Sequence, residues 1–503
     1  MPEYLSPGVY VEDIAGVPVI EAVSSSTGGF IGVAQRGKVG EPIFITSWNA
    51  FLTNFALGLD SPFMSNSYLA YSVYGFFQNG GKRCYVMRVA KNAVCATGKI
   101  TVTEEVEGVE TNVDKLILDA KDEGAWGNKL FVEIVANDED SSLFDVVVKL
   151  GETAAKAEVV EVIDALSNDS TDEDHYWYNE LNFRSQFISS TNATGVLQVT
   201  TSDIAFSGGS DGTTVDDSVF TKALTFGDSP LDKVDDMNML CIPGEVSVPV
   251  TSALEAYCEN RKYLFAILEG AKSRSVTGKS SIKYFRQSEI PACKNAALIY
   301  PWIKVVDPLS KSGRLKDCPA CGHVMGVYAR TIEERGVWKA PAGTEALVRG
   351  AIDVLTTVTT GDTDVLNPAS VISIMPRPNY GIVIWGARSL HPDSSMRYVS
   401  DVLLDINIKK SIYLGTQQFV FEPNDHITWR KLRATVEAFL DNMWRDGALF
   451  GETAKEAYYV KCDEDLNPEN VRNAGKLVCE VGYASKKPAE FVIFRFSHSV
   501  AKQ

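Results

Sequence analysis

Residues 239–268 decide the fold: Met239-Leu-Cys-Ile-Pro243 is followed by a helical stretch from Thr251 to Asn260 and then by Leu264-Phe-Ala-Ile-Leu268. Short apolar runs separated by a helix predict strands of a partly parallel sheet joined by a crossover. A further run, Ala296-Ala-Leu-Ile-Tyr300, continues the alternation. We therefore predict a mixed α/β (α+β) fold with an α/β core and more than one domain.

An acidic block interrupts this pattern. Residues 101–200 carry 22 acidic and six basic side chains, so most of the formal charge of −17 lies there. Strand-like runs at 116–120, 130–135 and 143–148 and a short helix at 154–166 predict an inserted acidic outer domain of mixed α and β character. Such a surface keeps an assembly soluble, and the chain has no basic stripe that would indicate a nucleic-acid partner.

Composition indicates an ordinary globular chain. It has 503 residues, of which 45% are hydrophobic, and nine scattered cysteines, which favours reduced thiols over a disulfide framework. The first residues lack the pattern of a signal peptide, and no apolar run is long enough to cross a bilayer. We expect synthesis in the cytoplasm and no direct membrane insertion.

The clearest helix follows Pro423-Asn-Asp425. Gly447 ends it, and its apolar residues recur at helical spacing: Trp429, Leu432, Val436, Phe439, Leu440 and Met443. Arg430, Lys431 and Arg433 lie near its first turns, where cations oppose the helix dipole. This placement fits either an anionic partner surface or plain solvent exposure.

The sequence predicts a strand at each end of the chain, with few charged residues or prolines to protect the strand edges. The predicted N-terminal strand contains Val9, Tyr10, Val11, Glu12 and Ile14. The predicted C-terminal strand contains Phe491, Val492, Ile493, Phe494, Arg495 and Phe496. An apolar strand with an open edge is a template for another chain. The two strands are therefore either donated to neighbouring subunits or paired within one monomer.

Two groups of residues have the types needed for site chemistry. Cys318 and Cys321 with nearby His323 make up half of a zinc site, but no second ligand pair follows at a suitable spacing. His391 in His391-Pro-Asp393 could be oriented as a general base, but the sequence contains no motif for a nucleophile that it would activate. We predict no metal, no cofactor and no catalytic residue.

The stretch Cys318-Pro-Ala-Cys-Gly-His-Val-Met-Gly-Val-Tyr-Ala-Arg-Thr331 resembles the central signature of contractile tail sheath proteins, found in phage tails, R-type pyocins and related injection systems. Other blocks resemble the same family in the same order: Ser6–Glu12, Glu334–Gly343, Tyr300–Ile303, Gly381–Arg388, Phe421–Asp425 and Ala489–Arg495. The resemblance implies a multidomain sheath subunit with extended terminal arms. It implies an N-terminal arm at 1–29, a core at 30–96 and 206–365, the outer domain at 97–205, an inner domain facing the tube at 366–485, and a C-terminal arm at 486–503.

The resemblance also implies a function. Sheath subunits polymerise as stacked six-membered rings around an inner tube, exchange their terminal strands, and contract to drive the tube through a target envelope. The implied partners are further copies of the chain, the inner tube protein, and baseplate and terminator proteins of a particle assembled in bacterial cytoplasm. We predict hinges at Gly16, Pro18, Gly28, Gly29, Lys487 and Pro488. The resemblance implies that the C-terminal region faces the tube, and within it we predict an electrostatic tube contact at Arg430, Lys431 and Arg433.

Two other functions remain open from the sequence. One is a hydrolase-type enzyme on the α/β core whose arms serve only oligomerisation. The other is a shell protein that assembles through strand exchange but does not contract.

Overall fold

The computed structural model describes residues 20–57, 62–106, 109–193, 195–290, 292–310 and 312–495. For residues 101–106 and 109–114 it describes the backbone only. The predicted N-terminal strand, the hinge residues Gly16 and Pro18, and Phe496 lie outside these ranges.

The strands, in chain order, are β1 (Gly28–Gly32), β2 (Pro42–Ile45), β3 (Cys84–Arg88), β4 (Thr97–Val106), β5 (Val109–Ala120), β6 (Leu130–Ala136), β7 (Phe144–Leu150), β8 (Glu158–Leu166), β9 (Ile188–Ser189), β10 (Ile204–Ser207), β11 (Met239–Cys241), β12 (Phe265–Glu269), β13 (Ala296–Tyr300), β14 (Ile303–Val306), β15 (Leu315–Cys318), β16 (Ala351–Val354), β17 (Val371–Arg377), β18 (Gly381–Trp385), β19 (Tyr458–Lys461) and β20 (Glu480–Tyr483).

The α-helices are α1 (Trp48–Phe55), α2 (Leu69–Gln78), α3 (Trp177–Arg184), α4 (Asp217–Ala223), α5 (Val248–Arg261), α6 (Ile282–Tyr284), α7 (Cys321–Arg335), α8 (Thr360–Leu366), α9 (Val399–Gly415), α10 (His426–Arg445), α11 (Ala454–Ala457) and α12 (Glu469–Asn473). Within the described ranges, none of these helices combines the length and the apolar character that a bilayer crossing requires.

The chain divides into two compact units. We call Ser26–Thr331 with Pro341–Pro392 the core unit, and Met1–Ser25, Ile332–Ala340 and Asp393–Gln503 the C-terminal unit. The mixed α/β fold predicted from the sequence is confirmed.

The core unit is built on an eight-stranded sheet in the order β18-β17-β13-β12-β11-β1-β3-β2. The six inner strands run parallel, and β18 and β2 are antiparallel edges. β11, β12 and β13 are buried along their whole length. Burial on both faces explains why these strands read as continuous apolar runs.

Gly28 and Gly29, which the sequence predicts as hinges, lie in strand β1. Both glycines are buried in the middle of the sheet and paired on either side, with β11 and with β3. A Cβ atom on Gly28 would lie 2.7 Å from Met325 Sδ, and one on Gly29 would clash with Met237 Sδ. These positions are glycine because neighbouring side chains approach the backbone closely, and sheet pairing fixes them. The prediction that they act as a hinge is wrong.

The acidic insertion forms an antiparallel sheet in the order β8-β7-β6-β10-β4-β5-β9, which begins at Thr97 and ends at Ser207. The helix predicted at 154–166 is wrong, because the segment is a short 3-10 turn followed by β8. Residues 158–166 alternate partly between buried and exposed side chains, and cross-strand pairing with β7 favours the extended chain.

The predicted domain boundary at 366 is also wrong. β17 pairs in parallel with β13, and β18 pairs with β17, so residues 371–385 extend the sheet of the core unit. The C-terminal unit resumes only at Asp393. Pairing with strands about 70 residues earlier in the chain is a long-range contact that local sequence pattern does not reveal.

Candidate interaction site

The C-terminal unit is organised around α9. Tyr398 and Asp401 form a capping box at its first turn, where the Tyr398 backbone N–H donates to Asp401 Oδ2 over 3.3 Å. The helix is buried on almost every side, including the polar residues Asp401, Asn407 and Ser411. Buried polar groups need partners. Two stretches of chain far apart in sequence supply them.

The first stretch is residues 20–25. Asn407 Nδ2 donates to Ser25 Oγ and to the Val23 carbonyl, each over 2.8 Å, and the Val23 N–H donates to Ser411 Oγ over 3.1 Å. A Cβ atom on Gly415 would lie 2.6 Å from Ile20 Cγ1. These contacts fall one helical turn apart, so residues 20–25 lie antiparallel to α9 and reach its C-terminal end at Ile20.

The second stretch is residues 483–490, which we call the C-terminal tail. At the start of the tail, Tyr483 Oη donates to Asp405 Oδ1 over 2.6 Å. In the middle, Lys487 Nζ donates to Asp401 Oδ2 over 2.8 Å. At the end, Glu490 Oε2 accepts a hydrogen bond from Tyr398 Oη over 2.9 Å. The tail therefore also lies antiparallel to α9 and ends at its first turn.

The middle contact of the tail joins a buried and a half-exposed charge. The Asp401 side chain is 1% exposed and the Lys487 side chain is 45% exposed. Lys487 also donates to the Ser395 carbonyl. At the other end of the tail, burial and the nearby Asp405 carboxylate raise the pKa of the Tyr483 hydroxyl, which stays a hydrogen-bond donor. Lys487 and Pro488 thus lie between fixed points at Tyr483 and Glu490, which argues against the predicted hinge at these two residues.

Beyond Glu490 the chain is apolar and exposed. Phe491, Val492, Ile493 and Phe494 are 71%, 70%, 77% and 76% exposed, and Arg495 is exposed too. No strand is assigned to residues 491–495, where the described part of the chain ends.

The C-terminal unit also contains a two-stranded sheet. β19 and β20 pair from Tyr458↔Tyr483 to Lys461↔Glu480, and neither joins another strand among the described residues. Each strand therefore has one edge without a neighbouring strand. A sheet of two strands is marginally stable by itself, and an added strand stabilises it.

The cationic helix face predicted from the sequence lies on α10. Asp425 caps the helix by accepting hydrogen bonds from the backbone N–H groups of Ile427 and Thr428, each over 2.9 Å. Arg430 and Lys431 are exposed, whereas Arg433 is half-buried with its Nε 3.7 Å from Glu437 Oε1. The structure therefore leaves two of the three cations exposed on one turn.

Cys318, Cys321 and His323 lie in the core unit and are buried. Burial raises the pKa of both thiols and lowers the pKa of His323 to about 4. The Cys321 N–H donates to Glu269 Oε1 over 2.7 Å, so a buried carboxylate caps α7. A Cβ atom on Gly322 would clash with the Ser72 backbone of α2, and one on Gly75 would clash with the His323 ring. Residues 321–326 of the stretch Cys318–Thr331 thus form the contact between two closely packed helices, α2 and α7.

Three family models match the chain. The phage tail sheath β-sandwich domain matches residues 91–211, the phage tail sheath protein central domain matches residues 226–390, and the phage tail sheath C-terminal domain matches residues 391–498. Together they account for more than half of the chain.

The chain belongs to the phage tail sheath protein family.

Two curated sheath proteins are similar to parts of it. The tail sheath protein of Salmonella phage ViI is 26% identical over 201 residues, which are 39% of this chain and 30% of that protein. The tail sheath protein of Vibrio phage KVP40 is 23% identical over 180 residues, which are 35% of this chain and 26% of that protein. The matches thus span less than a third of the length of these relatives.

Solved sheath structures share the fold over nearly the whole chain. The sheath of the extracellular contractile injection system PVC, in its contracted state, covers 99% of each chain with a TM-score of 0.61 at 21% identity. The contracted helical sheath of the anti-feeding prophage covers 98% of this chain and 99% of its own, with a TM-score of 0.60 at 21% identity. A sheath tail protein from Listeria innocua covers 89% of this chain and 90% of its own, with a TM-score of 0.63 at 13% identity.

The sequence predicts strands at both ends of this sheath protein, but the residues that hold the neighbouring segments were not predicted. Tyr398, Asp401 and Asp405 bind the C-terminal tail, and Asn407 and Ser411 bind residues 20–25. One signal was present in the sequence. Polar or small residues recur every fourth position, at 407, 411 and 415, in a helix that is otherwise largely apolar at its buried positions.

Proposed function

We propose that the chain is the structural subunit of a contractile tail sheath in a phage tail or phage-tail-like particle. One observation carries this proposal: an exposed apolar run, Phe491–Phe494, follows a tail that is fixed to α9 by three polar contacts. A subunit gains nothing from exposing four large apolar residues in water unless another surface covers them.

The proposed partner of this run is a second copy of the chain. Residues 491–496 add as a strand to an open edge of β19–β20 in a neighbouring subunit, and the N-terminal strand at Val9–Ile14 adds in the same way. Main-chain hydrogen bonds would give affinity, and alternate side chains would fill pockets. A donated strand makes a contact between unlike surfaces, and repeating such a contact with a rise generates a helix of stacked rings.

Contraction is then a cooperative change of the whole lattice in which the subunits move as rigid bodies. If it buries roughly 400 Å² of additional apolar surface per subunit, each subunit contributes about 10 kcal/mol at about 25 cal/mol per Å². The free energy is stored during assembly, so the extended lattice is held by a kinetic barrier and no nucleotide is consumed. Because the tail is fixed as far as Glu490, we place the C-terminal hinge after that residue.

Further partners follow from the same proposal. The inner tube protein lies inside the rings and meets Arg430 and Lys431, and baseplate and terminator proteins meet the ends. The similar solved structures include a helical sheath, a sheath complex and an anti-feeding prophage baseplate. In this proposal the chain catalyses no reaction and binds no cofactor. A hydrolase-type enzyme and a shell that does not contract are the competing functions.

Electron microscopy of the purified full chain tests the proposal. We expect hollow helical tubes or stacks of rings from the intact chain, and soluble, folded subunits without tubes after deletion of residues 491–503. Deletion of residues 1–20 should have the same effect through the other arm. Discrete compact oligomers from the intact chain would favour the enzyme, and tubes of normal length from both truncations would refute strand exchange.

A further inference from the structure

Two free cysteines face each other just beyond the end of the β19–β20 sheet. The last paired residues of this sheet are Lys461 and Glu480, so the next residues on the two strands, Cys462 and Cys479, stand opposite each other. Both are free thiols, and Cys462 is 4% exposed whereas Cys479 is half-buried. We call Cys462 and Cys479 the cysteine pair.

The register of the two strands sets the distance within the cysteine pair. The Ala484 N–H donates to the Ala457 carbonyl over 2.9 Å, so these two residues form a hydrogen-bonded pair. Hydrogen-bonded and non-hydrogen-bonded pairs alternate along an antiparallel ladder. From 457 to 462 is five positions, so the cysteine pair falls at a non-hydrogen-bonded position, where Cα atoms lie about 4.5 Å apart. That separation lies within the range of about 4.4–6.8 Å found in disulfides.

A buried asparagine fixes the chain on the other side of the cysteine pair. Asn467 is fully buried, and its Nδ2 donates to the carbonyls of Asp463 over 3.0 Å and Val478 over 2.9 Å. The Val478 N–H donates back to Asn467 Oδ1 over 2.7 Å. Asp463 and Val478 directly adjoin the two cysteines, so the ladder holds the pair on one side and Asn467 holds it on the other. The two thiols therefore meet without any rearrangement of the backbone.

The two side chains are in contact and are protonated at neutral pH. Burial raises the pKa of the Cys462 thiol and raises the pKa of the Cys479 thiol to about 12, and the two thiols share a hydrogen bond. The thiolate is the form that attacks a disulfide. Oxidation of this pair is therefore slow at neutral pH and becomes faster as the pH rises.

We propose that the cysteine pair is a reversible disulfide site, oxidised by a small-molecule disulfide such as oxidised glutathione. The thiolate of the more exposed Cys479 attacks one sulfur of the small disulfide, forms a mixed disulfide and releases one small thiolate. The Cys462 thiolate then attacks the Cys479 sulfur and releases the second small thiolate. The chain loses two electrons and two protons, and the small disulfide gains them as two thiols.

The purpose of this disulfide rests on the proposed function, although its formation does not. Side chains of a cross-strand pair project from one face of a sheet, so the disulfide leaves the outer backbone edges of β19 and β20 free for a donated strand. It closes the loop from residue 462 to residue 479 and so limits the unfolded conformations of a marginal two-stranded sheet. Thiols stay reduced in the cytoplasm and disulfides persist outside the cell. Oxidation would thus strengthen the acceptor sheet once a particle has left the cell.

Thiol mapping of the unassembled full chain tests the site. The chain is incubated with defined mixtures of reduced and oxidised glutathione at pH 8, its free thiols are alkylated, and its peptides are identified by mass spectrometry. We expect a 462–479 disulfide within one chain and alkylation of the other seven of the nine cysteines. Cys462→Ser should accumulate glutathione on Cys479, whereas Cys479→Ser should leave the buried Cys462 largely without it.

Three results of this mapping would overturn the proposal. They are the absence of the 462–479 peptide at the most oxidising mixture, a disulfide only between chains, and equal glutathione adducts in the two serine variants.

Hydrogen exchange measures what the disulfide does to the sheet. Peptides from residues 458–483 should exchange at least about tenfold more slowly in the oxidised chain than in the reduced chain. The same glutathione treatment of Cys462→Ser should produce no such slowing, and equal exchange in the oxidised and reduced chains would refute the stabilising role. Absence of tubes from both redox forms under the microscope would contradict the sheath proposal alone, because the disulfide is read in the unassembled chain.

Discussion

Lys487→Met should loosen the C-terminal tail by leaving a buried charge without its cation. Asp401 is 1% exposed and has Lys487 Nζ at 2.8 Å, so removal of the ammonium leaves a carboxylate shielded from water. Breaking a fully buried ion pair typically costs about 3–5 kcal/mol. The Lys487 side chain is 45% exposed, and water screens it in part, so we expect a cost of about 2 kcal/mol.

The measurement is hydrogen exchange of peptides from α9 and from residues 483–490 at increasing urea concentration. A single unfolding midpoint for the whole chain is unsuitable, because the chain forms two units. Lys486→Met is the matched control. It removes the same charge one position earlier, where the described residues give the lysine no ion pair.

A double-mutant cycle makes the result specific. Asp401→Asn keeps an oxygen that accepts the Tyr398 N–H, and combined with Lys487→Met it removes the unpaired charge. We expect the double variant to recover most of the loss, with a coupling of about 1.5 kcal/mol. A cost for Lys487→Met equal to that for Lys486→Met, or a coupling below about 0.5 kcal/mol, would refute the view that this ion pair fixes the tail.

Three further predictions concern other parts of the molecule. Burial raises the pKa of Glu269 to about 7, so the folded state gains stability from the protonated acid below about pH 4.5 and loses it as pH rises through about 7. Glu269→Gln should remove up to about 3 kcal/mol of that decline, seen as a flatter pH dependence of hydrogen exchange in core-unit peptides between pH 5 and 8, and an unchanged pH profile would contradict it. Gly322→Ala should destabilise the core unit by about 2 kcal/mol because its Cβ clashes with the Ser72 backbone, whereas Gly361→Ala, with its nearest neighbouring atom at 3.8 Å, should not. Arg430→Glu with Lys431→Glu should weaken co-sedimentation of assembled sheath with inner tube and leave sheath tubes intact under the microscope, and equal loss of both would show a general folding defect instead.

Strong local periodicity made part of this fold predictable. The runs that became β11, β12 and β13 were predictable because burial on both faces makes them continuously apolar, and α10 was predictable because its apolar residues recur at helical spacing. The segment at 158–166 was wrongly predicted as a helix because acidic residues recur at every third position, at 158, 161 and 164, which is compatible with a surface helix until pairing with β7 is known.

The two ends of the chain show most clearly which properties follow from sequence and which from tertiary structure. The sequence by itself determined that residues 491–494 are apolar and carry no charge or proline that would protect a strand edge, since that follows from side-chain chemistry alone. Only the tertiary structure decided which residues hold the segments near each end, because α9 brings Asp401 to Lys487 and Asn407 to Ser25 across more than 80 and 380 positions. It likewise decided that Gly28 and Gly29 are packed rather than mobile. Glycine serves both purposes, and which one applies depends on the side chains that surround it.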